Sequence, residues 1–411
     1  MILDILLMAI AGLRAHKMRS ILTLSGIVIG ITAVVGMSAV IRGIDLSISG
    51  GIRAMNPNVV YLDRMGPRIV LNVEEWLELD RRPELTMDDL KAIERACPSV
   101  GTLDVFAGQN DSHSLKRGKE KSRNCSIMGV GENYLDVNNM VLQDGRFFTS
   151  EEVERGTRVI VLGAGPVDSL LRHVDPIGKR VRLEDREYIV IGTLVPQADV
   201  GGFNLGQDNF AVIPITAHMK DLSGRRQSVT IAMVPKEGVT PETMEAEVIE
   251  FMRVRHALRA GQENDFDMMT QESILQFWRD ISNAVFYTLL AISSIALAVG
   301  GIGVMAVMLV AVTERTREIG VRRAIGARRG QILLQFLAEA AMLTALGGVI
   351  GSAVGAGAAW GIGELVDLPV AMPWDTFAIA IAGSTLIGIV FGVYPAHRAA
   401  RVDPIVALRY E

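Results

Sequence analysis

The chain has 411 residues, 49% of them hydrophobic and only 5% aromatic, with 41 glycines and a formal net charge of −5. Several uncharged runs exceed the ~18 residues that mark a spanning helix, which excludes a purely soluble globular protein. The mild overall acidity gives no polycationic surface shaped for nucleic acid. The charges gather in one long central region and a few short terminal or loop clusters. This arrangement predicts an integral membrane α-helical protein of four transmembrane helices, with a large α+β extracytoplasmic domain between the first and second spans.

Residues 1–19 read as a cytoplasmic amphipathic helix. Ile2, Leu3, Leu6, Ala9, Ile10 and Leu13 follow helical spacing, and Arg14, His16, Lys17 and Arg19 close the segment. A signal peptide would place the basic cluster before the apolar part and a small-x-small site after it, and this order is reversed. Residues 20–41 are uncharged and, at ~1.5 Å per residue, long enough to cross a bilayer as a helix. Gly26 and Gly30 form a small-xxx-small pair that lets another helix approach closely. The basic flank before this span places the N-terminus on the cytoplasmic side.

Residues 42–280 form the soluble insert. Its edges carry helical patterns, Ile44, Ile48 and Ile52 at one end and Ile274, Trp278, Ile281 and Val285 at the other, which predicts stalk helices continuing from the flanking spans. Trp278, Phe286 and Tyr287 sit where an outer aromatic belt belongs. Thr86 caps a predicted helix to Ala96, with Asp88 and Asp89 in its first turn. Strands are predicted over 124–130, 158–162, 180–183, 188–194, 210–213 and 228–234, and a second helix over 241–257, opened by Thr240 and Pro241. The insert is long enough for one or two compact subdomains.

Three further spans follow, over 284–312, 332–362 and 376–396. The first contains Gly300, Gly301 and Gly303, the second Gly347, Gly351 and Gly355 in a repeated GxxxG register, and the third Gly388 and Gly392. The loop between the last two spans carries Glu364, Asp367 and Asp375 and no Lys or Arg, whereas the tail, 397–411, carries His397, Arg398, Arg401 and Arg409. Both termini are therefore expected in the cytoplasm.

Residues 313–331 connect the second and third spans and hold Arg315, Arg317, Arg322, Arg323, Arg328 and Arg329. As a helix, this stretch places Ile319, Ala324 and Ile325 near one face and pairs Glu314, Arg315, Glu318 and Arg322 at spacings of three and four. Two readings fit, a docking element for a soluble partner and a positive-inside anchor without one. Glu339, near the cytoplasmic boundary of the third span, fits snorkelling, pairing with an arginine of this loop, or a role of its own.

Motifs for chemistry are sparse. No GxxxxGKS/T phosphate cradle occurs, Gly163-Ala-Gly165 lacks a third glycine because Asp168 stands there, and no HExxH or GxSxG is present. A turn is the expectation at Gly163, and neither a catalytic residue nor a metal is expected. Cys97 and Cys125 fit either buried thiols or a disulfide. Lys116, Arg117, Lys119, Lys121 and Arg123 surround Gly118 as a solvated hairpin tip or a contact for anionic lipid headgroups or an acidic partner.

Four stretches resemble the MacB/FtsX-type family of ABC transporter permeases. They are LRAHKMRSILTLSGIVIGITAVV near the N-terminus, DPIGKRVRLEDREYIVIGTL from Asp175 to Leu194, TERTREIGVRRAIGARRGQILLQFLAEA after the second span, and YPAHRAARVDPIVALRYE from Tyr394. The resemblance covers nearly the whole chain and keeps the family's order of elements. It implies a homodimer or heterodimer of permeases in the bacterial inner membrane, docked to a cytosolic ABC ATPase subunit that binds ATP and Mg. It places the coupling surface on Glu314, Arg315, Arg317, Glu318, Ile319, Gly320, Arg322, Arg323, Ala324, Gly326 and Ala327. Motion driven by the ATPase would pass through the spans and stalks to the external domain, for export of peptides, macrolide-like compounds or lipid-linked cargo. A periplasmic adaptor and membrane lipids are further partners it implies. Regulation of an external hydrolase in the manner of FtsX, or lipoprotein release, is the other role found in such permeases. The ATPase portion fused in MacB is not in these residues, so a separate ATPase subunit is expected.

Overall fold

The computed structural model describes residues 17–408, apart from 55, 71, 109–111, 119, 123, 173, 197–207, 224–227, 367–369 and 372–373. The expected amphipathic helix over 1–19 lies outside these residues except for its last three positions, as do Lys119, Arg123, Asp367 and Arg409. In chain order the structure runs α1 (Lys17–Ala54), β1 (Val60–Asp63), α2 (Val73–Asp80), α3 (Met87–Ala96), β2 (Val100–Ala107), β3 (Ser112–His113), β4 (Leu115–Arg117), β5 (Glu120–Lys121) and β6 (Cys125–Val130). It continues with α4 (Tyr134–Val137), β7 (Leu142–Gly145), α5 (Ser150–Arg155), β8 (Val159–Leu162), α6 (Ala164–Leu170), β9 (Arg180–Leu183), β10 (Arg186–Leu194), β11 (Phe210–Pro214) and α7 (Ile215–His218). Next come a π-turn (Met219–Ser223), β12 (Thr230–Pro235), α8 (Pro241–Arg255), β13 (Asp267–Thr270), α9 (Gln271–Glu314), α10 (Thr316–Ala324), α11 (Arg329–Val366), α12 (Trp374–Ala400) and α13 (Pro404–Leu408). Two compact units result, one of residues 1–46 with 280–411 and one of residues 47–279.

Four helices of the first unit, α1, α9, α11 and α12, are long and apolar enough to cross a membrane. The expected stalk patterns belong to continuous helices, since α1 runs on to Ala54 and α9 begins at Gln271 and covers 44 residues. α12 likewise extends beyond the expected span to Ala400, with Pro395 inside it. Small residues determine how the four pack. A Cβ on Gly26 would stand 3.0 Å from Gly300 Cα, one on Gly351 2.9 Å from Val28 O, and one on Gly355 2.8 Å from Thr32 O. Such backbone-to-backbone approach is open only to glycine. Thr32 Oγ1 also donates to Gly351 O at 3.1 Å.

The second unit is built on a 13-stranded sheet in the order β13-β1-β12-β2-β6-β11-β8-β10-β9-β4-β5, with β3 added on β6 and β7 on β10. Most neighbours are antiparallel, but β6–β11 and β8–β10 run parallel. The central strands are short hydrophobic runs buried at every position, as VIVL of β8 and FAVIP of β11 show, because both faces of the sheet are covered there. β9 alternates exposed and buried residues and so covers the core with one face only. Two cores result, one around Tyr61, Phe106, Val130 and Ile231 and the other around Cys125, Ile160, Leu183 and Tyr188.

Local signals place the domain's helices. Thr86 with Asp89, and Thr149 with Glu152, form capping boxes ahead of α3 and α5. Gly156, at φ +66°, ends α5 in the left-handed conformation that favours glycine. Thr240 caps α8, with Pro241 as its first residue.

Candidate functional site

The segment from Glu314 to Ala327 is an ordered helical hairpin. α9 ends at Glu314, and Thr316 Oγ1 donates back to Val312 O and Thr313 O at 2.9 and 2.8 Å, turning the chain into α10. α10 closes in a Schellman motif, with Gly326 N bonded to Arg323 O and Ala327 N to Arg322 O, and Gly326 at φ +104°. Gln331 Oε1 then accepts from Arg328 N at 2.9 Å and caps the start of α11.

The sequence candidates fall into three groups here. Ile319, 2% exposed, and Gly320 face inward. Arg315 and Arg322 are half-buried and reach α11, where Arg315 Nη1 donates to both oxygens of Glu339 at 3.2 and 3.3 Å and Arg322 Nη1 donates to Gln335 Oε1 at 2.9 Å. Arg322 also pairs with Glu318 one turn earlier. Glu314, Arg317, Glu318, Ala324 and Gly326 are exposed, while Arg323 and Ala327 are half-buried. Glu339 thus has a partner in the hairpin.

One expectation about this helix is corrected. Ile319 does not share a face with Ala324 and Ile325, since Ile325 is 82% exposed and Ala324 is exposed as well. At about 100° per residue Ala324 lies about 140° round from Ile319, so the two stand on different faces of α10, and Ile325 is the C-cap before left-handed Gly326. Val321 and Ile325 remain solvent-facing apolar groups among arginines.

The tail closes over the hairpin, a feature the sequence reading did not draw out. A Cβ on Gly320 would meet Ala407 Cβ at 2.5 Å, and Ala407 is fully buried. Asp403 Oδ1 caps α13 by accepting from Ile405 N at 2.8 Å, with Pro404 as its first residue, while Ile405 and Val406 stay exposed. The Asp-Pro pair was the available signal, an N-cap followed by proline at the first helical position.

The packing glycines meet partners within the first unit. Gly26 lies against Gly300, Gly30 against Leu297, Gly347 against Leu24 and Ile27, Gly351 against Val28 and Ile31, and Gly355 against Thr32 and Gly36. Gly388 faces Thr344 and Ala340, and Gly392 faces Ala340. At the opposite end from the hairpin, Arg42 pairs with Asp375 and Ser38 hydrogen-bonds Thr376.

The motifs weighed for chemistry hold no ligand geometry. Gly163 caps α6 and packs on Asp208–Phe210, so a Cβ there would lie 2.6 Å from Asp208 O, and the turn is filled by the protein's own backbone. Cys97 and Cys125 are both buried thiols without a disulfide, and desolvation raises each above the usual thiol value. Among the described residues no group of three or more His, Cys, Asp or Glu is placed to hold a metal. Lys116 and Lys121 pair across the short β4–β5 hairpin around Gly118.

Four apolar helices, an Arg-rich helical hairpin between the second and third, and an α+β domain between the first and second in chain order define an ABC-transporter-type permease layout. The MacB-like periplasmic core domain matches residues 20–251, and the FtsX-like permease C-terminal domain matches residues 290–404. The chain belongs to this MacB/FtsX-type permease family. It is 35% identical to the macrolide export ATP-binding/permease protein MacB of Bdellovibrio bacteriovorus, over 97% of this chain and 60% of that one. Against MacB of Neisseria gonorrhoeae the identity is 34%, over 98% of this chain and 60% of that one. The chain thus spans about three-fifths of the length of these relatives. The ABC transporter permease YknZ of Bacillus subtilis is 31% identical, with full coverage of both chains. Among solved structures, the periplasmic region of MacB from Actinobacillus actinomycetemcomitans matches 55% of this chain and 94% of its own at 20% identity and a TM-score of 0.44.

Proposed function

We propose that this chain is the membrane subunit of an ABC exporter, in which a separate cytosolic ATPase docks on Glu314–Ala327 and its cycle drives motion of the α+β domain outside the membrane. In this reading α1, α9, α11 and α12 cross the bacterial inner membrane, both termini lie in the cytoplasm and two permeases assemble as a dimer. The charge pattern supports the orientation, since the hairpin and the tail are Arg-rich whereas the loop ahead of α12 is acidic. The MacB relatives are named for macrolide export, which supports outward transport as the direction.

The observation that carries the reading is the bracing of α10. Arg315 and Arg322 anchor it to α11, and Ala407 fills the site beside Gly320. A helix fixed on two sides transmits a push, whereas a loose anchor absorbs it. Ile325 and Val321 then face the solvent among Arg317, Arg328 and Arg329, an apolar centre with a charged rim suited to a protein partner.

The test is co-purification of the full chain with candidate ABC ATPases, followed by an ATPase assay. Ile325→Asp, at an 82% exposed position, is expected to lose recruitment while the chain still inserts and stays monodisperse. Undiminished recruitment and hydrolysis in Ile325→Asp and in an Arg322→Glu/Arg323→Glu double variant would remove the coupling assignment.

A further inference from the structure

The α+β domain contains a cavity of about 420 Å³, lined wholly by its own residues. That volume lies within the range of pockets that hold small organic molecules. Three aromatic rings, Tyr61, Phe106 and Tyr134, contribute to its wall, with Tyr61 and Phe106 in edge-to-face contact at a centroid distance of 5.9 Å. Met269 and Ile274 add apolar surface, and the exposed Met65 and Pro67 stand at the mouth.

The polar groups of the lining are unevenly satisfied. Tyr61 Oη donates to Asn138 Oδ1 at 3.2 Å, and Asn138 Nδ2 donates to Tyr134 O at 3.0 Å, so this side is internally paired. Burial pushes the Tyr61 phenol up to about 12 and raises Tyr134 as well, so both present neutral rings at physiological pH. Asp63 is different. Its Oδ1 accepts from Met65 N at 2.9 Å and its Oδ2 from the Thr230 hydroxyl, which leaves about half of the four acceptor positions of a carboxylate open.

Charge makes Asp63 the deciding group. Among the described residues the lining contains this one carboxylate and no Lys, Arg or His. Arg68 and Arg82, on the same flank, are both held by Asp267, which pairs with Asp63 across β1 and β13. A neutral apolar ligand would leave the carboxylate desolvated against it, and an anion would be repelled. A cation gains both the carboxylate and the electron-rich ring faces.

We propose that this cavity is a binding site for organic cations, amines or quaternary ammonium groups on an apolar body, with Asp63 as the counter-ion and Tyr61, Phe106 and Tyr134 as the aromatic wall. The site goes beyond the transport reading and does not rest on it, because binding involves no ATPase and no membrane crossing.

The test uses the full chain in a non-ionic detergent and titrates benzyltrimethylammonium, benzyl alcohol and benzenesulfonate by calorimetry. Saturable binding of the ammonium probe is expected, at least about tenfold tighter than benzyl alcohol, with none for the sulfonate. Asp63→Asn is expected to weaken the ammonium probe by about tenfold or more, to the level of benzyl alcohol. Met269→Trp, which fills the cavity without touching the carboxylate's hydrogen bonds, is expected to abolish binding of the ammonium probe. Equal affinity for the ammonium and alcohol probes would overturn the proposal, as would undiminished ammonium binding in an Asp63→Asn chain that melts like its parent. Should Asp63→Asn fail to fold, Met269→Trp decides, and retained binding there overturns the assignment. Undiminished ATPase recruitment in Ile325→Asp with selective ammonium binding intact would overturn the docking reading alone, whereas recruitment lost there with equal ammonium and alcohol affinities would overturn the cavity assignment alone.

Discussion

The contact between Gly320 and Ala407 sets a quantitative test of how α10 is held. A Cβ at Gly320 would lie 2.5 Å from Ala407 Cβ, against an ordinary carbon contact near 4 Å, so Gly320→Ala forces α10 and α13 apart by about 1.5 Å. Overpacking of this kind costs about 1–3 kcal/mol. The better helix propensity of alanine returns about 1 kcal/mol of that, which leaves a net loss of at most about 2 kcal/mol. Ala407→Gly alone removes one buried methyl, about 1 kcal/mol, and gives up about 1 kcal/mol of helix propensity in α13. Combined, the two changes move a single methyl from one side of the contact to the other. The double variant is therefore expected to be more stable than the sum of the singles by about 1–3 kcal/mol. Thermal unfolding of the full chain in detergent, with ATPase co-purification beside it, reads the cycle. A double variant that falls at the sum of the two singles, or a Gly320→Ala chain that melts above its parent, would refute the direct packing of α13 on α10.

Gly351→Leu drives a side chain into Val28 O and Ile31 and should destabilise the helical unit by several kcal/mol, seen as loss of monodispersity on size exclusion in detergent; an unaltered elution profile and melt would contradict the seam. Asp104 is buried in β2, its Oδ2 accepts no hydrogen bond among the described residues, and desolvation pushes its carboxyl up to about 8. The folded chain thus keeps a proton that the unfolded chain releases near 3.8, so stability falls as pH rises from about 4 to 8. Asp104→Asn should flatten that slope, with its largest gain near pH 8 and none near pH 4, and parallel melting profiles would count against it. Conversely, the bidentate Arg146 pair holds Glu152 down to about 2, so its contribution is complete above the ordinary 4.5 and lost as pH falls towards 2. Arg146→Met should erase this acid-side loss, and an unchanged acid limb would show the pair contributes nothing.

The sequence was most legible where composition alone decides structure. Four long apolar runs could only be helices, and the Thr86 and Thr240 caps placed α3 and α8 to within a residue or two. β8, β9 and β11 were readable as β-branched or alternating runs. β1 and β13 were not, because VYLD and DMMT carry no period of their own and become strands through mutual pairing. The strand order was also hidden, since β12 lies between β1 and β2 and β11 between β6 and β8, pairings made across long stretches of chain. Within the hairpin, the arginines were easy to find but their division of labour was not. Nothing local distinguishes Arg322, which reaches Gln335, from Arg317, which stays at the surface. Ile319, Ala324 and Ile325 look alike in composition, but spacings of five and six residues at about 100° each set Ala324 and Ile325 about 140° and 120° away from Ile319.

The glycine face of α1 also bears on how the molecule is made. Gly26, Thr32 and Gly36 find Gly300, Gly351 and Gly355 as neighbours, and all three neighbours lie beyond the whole α+β domain in the chain. During synthesis α1 emerges long before any of them exists. Until α9 and α11 arrive, the surface that permits the tightest helix contacts stands without its native neighbours beside every other nascent copy. The length of the inserted domain therefore sets how long that face waits for its native neighbours, since α9 and α11 appear only after the domain has been translated.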